Sequence, residues 1–438
     1  MTGESNLSIG IELAYGDHGL RIDLPAELTT VITPRHLEAA ADPAAELRRA
    51  LAEPVAGPPL RDVVTPGQTI AVSICDATRP QPRELMIKAL LAELEGIARK
   101  DDFVILVATG THKGNTEAEL REMLGDDLFE TMRVINHDGR NPDELRSLGM
   151  FGNGVPVFLN RHWVDADVRI TTGFVEPHFF AGFSGGGKLV APGLAGLETV
   201  LTLHDAQRIG SPDATWAICE GNPVHDDVRA IATGTGVDFS LDVVLNREQQ
   251  IVRAFGGELL AMHAAARELV RELSMRPVPQ KYDIVVTTNS GYPLDQNVYQ
   301  AVKGMTAAAT IVKPGGLIIC AAECRDGFPD HGSFREVLAS GPTPESILDM
   351  IARRTETVPD QWQVQVLARV LTTARVGVFT TNLTDDELKT AHLFLVDDIE
   401  QAVREELERV GPDARICVLP EGPQTIPYLG DAADEASA

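Results

Sequence analysis

Short apolar runs rich in β-branched residues alternate with amphipathic stretches over most of this chain. TIAVSIC (residues 69–75) and FVILVATG (103–110) have little polar face, as strands covered on both sides require. RVINH (133–137) and VRITTGF (168–174) read as further strands. Between them, helical spacing of apolar residues predicts helices over 82–100 and 117–124, and later over about 195–208 and 256–273. Strand after helix in this order predicts an α/β fold with a mainly parallel sheet flanked by helices. Two prolines in a polar setting mark SMRPVPQKY (274–282) as a linker, after which the alternation restarts. There DIVVTTNS, GLIICAAE, RVGVFTT and LFLV read as strands and LDQNVYQAVKGMTAA as a helix. The expected division is a domain over 1–273, the linker, and a second α/β domain over 283–411. The tail DAADEASA reads as disordered.

With 438 residues there is room for two or three domains with substantial cores. The formal net charge of −26 argues against nucleic acid and anionic membranes as partners, and an anionic substrate would need locally placed Arg or Lys. No apolar run approaches the roughly 18 residues a membrane span needs. The N-terminus shows no signal-peptide pattern. Five scattered cysteines, without zinc-knuckle or redox spacing, read as buried reduced thiols, and the expected location is the cytoplasm.

In open α/β sheets ligands bind beyond the carboxyl ends of the strands. Three polar clusters fall at such ends: DATRP (76–80), GTHKGN (110–115) and VEPH (175–178). Asp76 and Thr78 suit a site, or equally the turn ahead of the next helix. His112 reads as a loop histidine or a catalytic one, and His178 stands among Phe and Gly where a solvated loop residue is not expected. His204 follows Leu197, Val200 and Leu201 at i+7, on an apolar helix stripe, and suits either a core position or a soft metal site. Gln296, Gln300 and Lys303 share one predicted helix face opposite Val298, Val302 and Met305. That face reads as solvated, or as a neutral donor and a point charge for a carboxylate. Phe179, Phe180 and Trp362 are candidates for core or for a pocket wall.

GFSGGGKL (182–189) has the spacing of a phosphate-binding loop, but Leu189 occupies the position of the magnesium-binding hydroxyl, and EPHFFA separates the loop from the preceding strand. A kinase or ATPase is therefore not expected.

Taken together, DATRP, GTHKGN, EPHFFAGFSGGGK, the histidine sixteen residues beyond that lysine, and GYPLDQNVYQAVKGM resemble the nickel-dependent lactate racemase family over roughly residues 10–428. The resemblance implies two domains with the active site in a cleft between them, the last segment, about 412–438, returning to the first. It implies a nickel-pincer nucleotide, a pyridinium mononucleotide attached covalently through a thioamide at Lys188, with His204 as the nickel ligand. Asp76, Ala77, Thr78 and Arg79 map to cofactor binding, with Arg79 also near the substrate carboxylate. His112 and His178 map to the acid–base pair, and Gln300 and Lys303 to substrate orientation. The implied activity inverts C2 of a 2-hydroxy acid by hydride transfer through a 2-keto acid, after maturation by cofactor-biosynthesis enzymes. The alternatives are a non-catalytic carrier or sensor of the nickel nucleotide, and a zinc-type hydrolase built on His112, His178 and His204.

Overall fold

The computed structural model describes residues 7–329 and 332–430, so the acidic tail lies outside the described residues. The chain forms two α/β units. One comprises His36–His204 and Ser211–Arg271, and the other comprises residues up to Arg35, Asp205–Gly210 and those from Glu272 onward.

In the first unit a six-stranded sheet runs, edge to edge, Arg133–Asn136, Phe103–Ala108, Ile70–Cys75, Val168–Phe174, Phe239–Leu245 and Ile251–Gly257. All neighbours are parallel except the last strand, which pairs antiparallel with Phe239–Leu245. Even the wholly buried strand Ile70–Cys75 sorts its residues by face. Ile70, Val72 and Ile74 join one core cluster with Leu47, Met86, Leu90 and Leu124, while Ala71 joins another with Val228, Ile231 and Ala232. Helices thus cover both faces, and each fully buried Leu or Ile contributes on the order of 1.5–3 kcal/mol. The chain enters the sheet at Ile70–Cys75, builds outward to Arg133–Asn136, then returns to the other side through Val168–Phe174. The order therefore reverses between Ile70–Cys75 and Val168–Phe174, and ligands of open α/β sheets bind beyond the carboxyl ends of the strands at such a point.

The second unit has a six-stranded, wholly parallel sheet in the order Phe394–Val396, Arg375–Phe379, Val312–Ala321, Tyr282–Thr288, Ile416–Leu419 and Thr29–Val31. This differs from the expected division. The chain's beginning and its last strands belong with the second sheet, whereas the sequence placed 1–273 and 412–438 in the first domain. The cause is burial. In the hairpin of Ser8–Leu13 and Leu20–Pro25, the residues Ile11, Leu13, Ile22 and Leu24 pack with Ile284, Val286, Ile416 and Val418. Nor is 274–282 a free linker, since Met275–Val278 pairs in parallel with Ile426–Leu429. Pro277 is tolerated there because a two-stranded ribbon leaves one side of each strand unpaired.

Smaller differences have local causes. The predicted helix 82–100 ends at Glu93, and the helix Glu117–Thr131 is interrupted at Gly125, whose φ of 75° is left-handed. The stretch 195–208 is two helices, Leu197–Leu203 and Ala206–Gly210. All five cysteines are buried free thiols, and among the described residues no helix is long and apolar enough to cross a membrane.

Candidate active site

The loop after Ile70–Cys75 is held from several sides. Asp76 is 4% exposed. Its Oδ1 accepts from the Thr78 amide (3.1 Å) and hydroxyl (2.6 Å), while its Oδ2 lies 2.6 Å from His112 Nδ1. Burial pushes the Asp76 carboxyl up, but the hydrogen bond and charge of His112, the Arg79 charge and the Thr78 hydroxyl outweigh it and hold the pKa at about 2. An ionised carboxylate only accepts, so His112 carries its proton on Nδ1 and its lone pair on Nε2. The Asp76 side chain therefore orients a histidine and does not cap the following helix, which starts at Arg83.

Two residues passed over in the sequence keep this loop in place. Arg83 is buried and donates to the carbonyls of Cys75 (2.8 Å), Gln81 (3.0 Å), Arg79 (2.7 Å) and Asp76. Gln81 accepts from the Cys75 amide (2.7 Å) and donates to Thr172 Oγ1 (2.9 Å), tying the loop to the neighbouring strand. Only their place next to DATRP could have flagged them. Ala77 and Thr78 are exposed and Arg79 is half-buried.

The loop after Val168–Phe174 makes a tight hairpin in which Pro177–His178 pairs with Gly182–Phe183. The Phe180 ring is its hub. The His178 ring lies 4.5 Å from it, the His204 ring 5.4 Å, and Lys188 Nζ 5.7 Å from its centroid. Phe180 thus gathers three of the sequence-selected residues. His178 Nδ1 accepts long contacts from the Phe180 amide (3.4 Å) and the Ala181 amide (3.3 Å), which puts the ring proton on Nε2.

Lys188 sits in a 3₁₀ turn, Gly186–Leu189, not at the start of an α-helix, and Leu189 is buried in the core. The phosphate-loop geometry is therefore absent at this lysine. The glycines are required by contact: a Cβ on Gly185 would lie 2.6 Å from Asp242 Oδ2, and one on Gly186 would lie 2.8 Å from His263 Cγ. Both also have positive φ, 75° and 52°.

His204 caps the C-terminus of Leu197–Leu203 and is not in its apolar stripe. Its Nδ1 lies 2.7 Å from the Val200 carbonyl, which can only accept, so Nδ1 donates and the lone pair is on Nε2. The ring is 8% exposed, and a neutral, oriented imidazole of this kind is a ready ligand for a soft metal. Among the described residues no group of three or more His, Cys, Asp or Glu side chains is arranged to hold a metal. A zinc site built on His112, His178 and His204 thus finds no footing.

Gln300 and Lys303 belong to the second unit. They are half-buried on the helix Val298–Ala309, while Val298, Val302 and Met305 are fully buried. The helix is capped by Asn297, whose Oδ1 accepts from the Gln300 amide at 3.0 Å, so Gln296 lies outside it and the expected face begins at Gln300. Trp362 is largely buried and donates to the Tyr299 hydroxyl at 3.2 Å.

Two family models match the chain, the lactate racemase N-terminal domain over residues 15–217 and the lactate racemase C-terminal domain over 278–426. The chain is 35% identical over 421 residues to a lactate racemase of Thermoanaerobacterium thermosaccharolyticum, covering 95% of this chain and 98% of that one. A lactate racemase of Lactiplantibacillus plantarum is 35% identical over 379 residues, covering 86% and 89%. The solved lactate racemase apoprotein from Thermoanaerobacterium thermosaccharolyticum superposes with a TM-score of 0.90 over 96% of this chain and all of that one. A Thermotoga maritima protein, 20% identical with a TM-score of 0.65, shares the fold.

Proposed function

Since the chain belongs to the lactate racemase family and is an isomerase of the racemase kind, we propose that it inverts C2 of a small 2-hydroxy acid, lactate first, with His112 and His178 as its acid–base pair. The observation that carries this reading is the opposite arming of the two rings. His112 presents a lone pair at Nε2 because Asp76 takes its Nδ1 proton, and His178 presents a proton at Nε2 because two amides point at its Nδ1. A reaction that removes a proton from one face and returns one to the other needs this asymmetry.

In the proposed sequence His112 accepts the substrate's hydroxyl proton as C2 becomes planar in a 2-keto acid. The resulting imidazolium is stabilised by the buried Asp76 carboxylate. His178 in its protonated form then gives a proton to the oxygen once C2 is rebuilt from the opposite face. Protonating Nδ1 costs the ring its two amide contacts, which at 3.4 and 3.3 Å are long. One turnover leaves His112 charged and His178 neutral, the state from which the opposite enantiomer reacts. Arg79 pairs with the substrate carboxylate, offsetting the acidic background of the chain. To Gln300 and Lys303 the proposal assigns the substrate's oxygens, on the chemistry of an amide and an ammonium.

The implied nickel nucleotide fits the residues of the first unit. Lys188 follows a glycine turn that tolerates no Cβ at Gly185 or Gly186, the Phe180 ring lies beneath its amine, and His204 holds its lone pair on Nε2. Lys188 would carry the group covalently, His204 would ligate the nickel, and the loop 76–79 would bind the nucleotide. When bound, the group supplies a site that accepts the C2 hydrogen as hydride and returns it. A non-catalytic carrier would have no use for a histidine held by a buried carboxylate.

The test is turnover in heavy water, by protein made alongside the cofactor-building enzymes. Racemisation of L-lactate with the C2 hydrogen retained supports the proposal. Deuterium appearing at C2 in step with racemisation, or no racemisation across a hydroxy-acid panel, would refute it.

A further inference from the structure

The glycine turn is gripped from two sides by groups that no sequence motif announces. From the strand Phe239–Leu245, Asp242 Oδ2 accepts the Gly186 amide at 2.7 Å. From the helix Leu259–Ser274, His263 Nε2 lies 2.8 Å from the Ser184 carbonyl. A carbonyl only accepts, so His263 donates. One residue therefore takes an N–H and the other a C=O of the same short segment, two and four residues before Lys188.

Both groups are costly to keep there. Asp242 is wholly buried and His263 is 6% exposed. Burial pushes the Asp242 carboxyl up to about 7, against the Gly186 and Gly173 amides, which lower it. Burial likewise drives the His263 ring down to about 3, assisted by the charges of Arg267, His225 and Lys188, so it is neutral. A buried acid opposite a backbone amide, where an apolar residue would pack without penalty, is evidence of a specific task. Asp242 pairs in register with Gly173, where a Cβ would lie 3.0 Å from the buried Oδ1. The surroundings are thus shaped to the carboxyl: Gly173 and Gly185 leave room for its two oxygens, and Gly186 leaves room for the His263 ring.

We propose that Asp242 and His263 are positioning residues that clamp the 184–187 turn and thereby hold Lys188 in the conformation that takes up the cofactor. The proposal rests on Lys188 being the attachment point. The clamp is a matter of hydrogen bonding and shape. Either protonation state of Asp242 offers an oxygen to Gly186, and Asn, of nearly the same volume, offers one too.

The experiment uses the full chain with Asp242→Asn, Asp242→Leu, His263→Gln and His263→Phe, each read in two ways. In cofactor-free protein, amide hydrogen exchange of residues 182–190 reports the clamp. Protection is expected to fall about tenfold in the Leu and Phe variants, the equivalent of one lost hydrogen bond, and to stay near wild type in the Asn variant. In protein made with the cofactor-building enzymes, the mass of the Lys188 peptide reports loading. Loading is expected to drop about tenfold with Asp242→Leu and His263→Phe and to recover substantially with Asp242→Asn and His263→Gln. Recovery by the variants that keep the hydrogen bond is what a merely space-filling role does not give. Leu and Phe variants that load and exchange like wild type would overturn the proposal, as would an Asn variant as poor as Leu in both readouts. Should the Leu variant not fold, His263→Phe against His263→Gln decides. Unmodified Lys188 in the wild type, with the exchange pattern as expected, would refute the attachment reading and uphold the clamp.

Discussion

Replacing Asp76 by Asn separates what its charge does from what its shape does. The carboxyl is held at about 2 in the folded chain against 3.8 for the free group. A depression of roughly two pKa units corresponds to about 2–3 kcal/mol of stabilisation of the ionised form. Because the folded value is the lower one, this stability is present in full above the unfolded value, near pH 4 and upward. It is lost as the pH falls through about 2. The wild type should therefore exceed Asp76→Asn by up to about 2–3 kcal/mol at pH 6, with the gap narrowing steadily between pH 4 and pH 2. Urea unfolding of the cofactor-free chain measures this. The chain has three tryptophans, of which Trp163 and Trp216 lie in the unit that holds Asp76, so a Trp362→Phe background restricts the emission signal to that unit. The same substitution should cost turnover roughly 10²–10⁴-fold, because an amide that donates to His112 Nδ1 moves the ring proton to Nε2 and disarms the base. A gap independent of pH, or turnover within about twofold of wild type at equal cofactor loading, would refute the reasoning.

Asp242→Asn should show the opposite pH dependence. Its folded pKa is raised to about 7, so the stability it brings is present below the unfolded value and lost as pH rises through 7; the variant should gain on wild type between pH 4 and 7 in the same urea assay. Lys188→Ala should leave no cofactor mass on the chain, and retained covalent cofactor would move the attachment elsewhere. His204→Ala should keep the Lys188 adduct but lose bound nickel, by elemental analysis of purified protein. Arg79→Ala should raise KM and lower kcat/KM by about 10- to 100-fold, and unchanged kinetics would remove Arg79 from the carboxylate.

The sequence made visible what local pattern encodes. Strands buried on both faces, such as Ile70–Cys75 and Val168–Phe174, are rich in β-branched residues and almost without charge, and the polar residues just past their ends are the candidate site. Sheet membership was not visible, because it is decided by distant partners. Thr29–Val31 is three residues long and carries no periodicity, yet it closes one edge of the second sheet. His204 matched a helical stripe by spacing, but the helix ends at Leu203, and its role as a cap follows from the hydrogen bond to Val200. Asp242 had one signal, the single charge within the buried run FSLDVVL, and its meaning depends on a turn 56 residues away in the chain.

The order of the second sheet also governs the order of manufacture. Ile416–Leu419 lies between Tyr282–Thr288 and Thr29–Val31, so the strand Thr29–Val31 is without its neighbour until residues 416–419 have been made. The unit that contains Lys188 is complete in sequence by Arg271. At about 5–20 residues per second, the remaining stretch of roughly 150 residues to Leu419 takes on the order of 10–30 seconds. The lysine-bearing half is therefore fully synthesised first and free to fold ahead of the other. A message truncated before codon 416 would encode all of that half, while Thr29–Val31 would lack the one strand it pairs with.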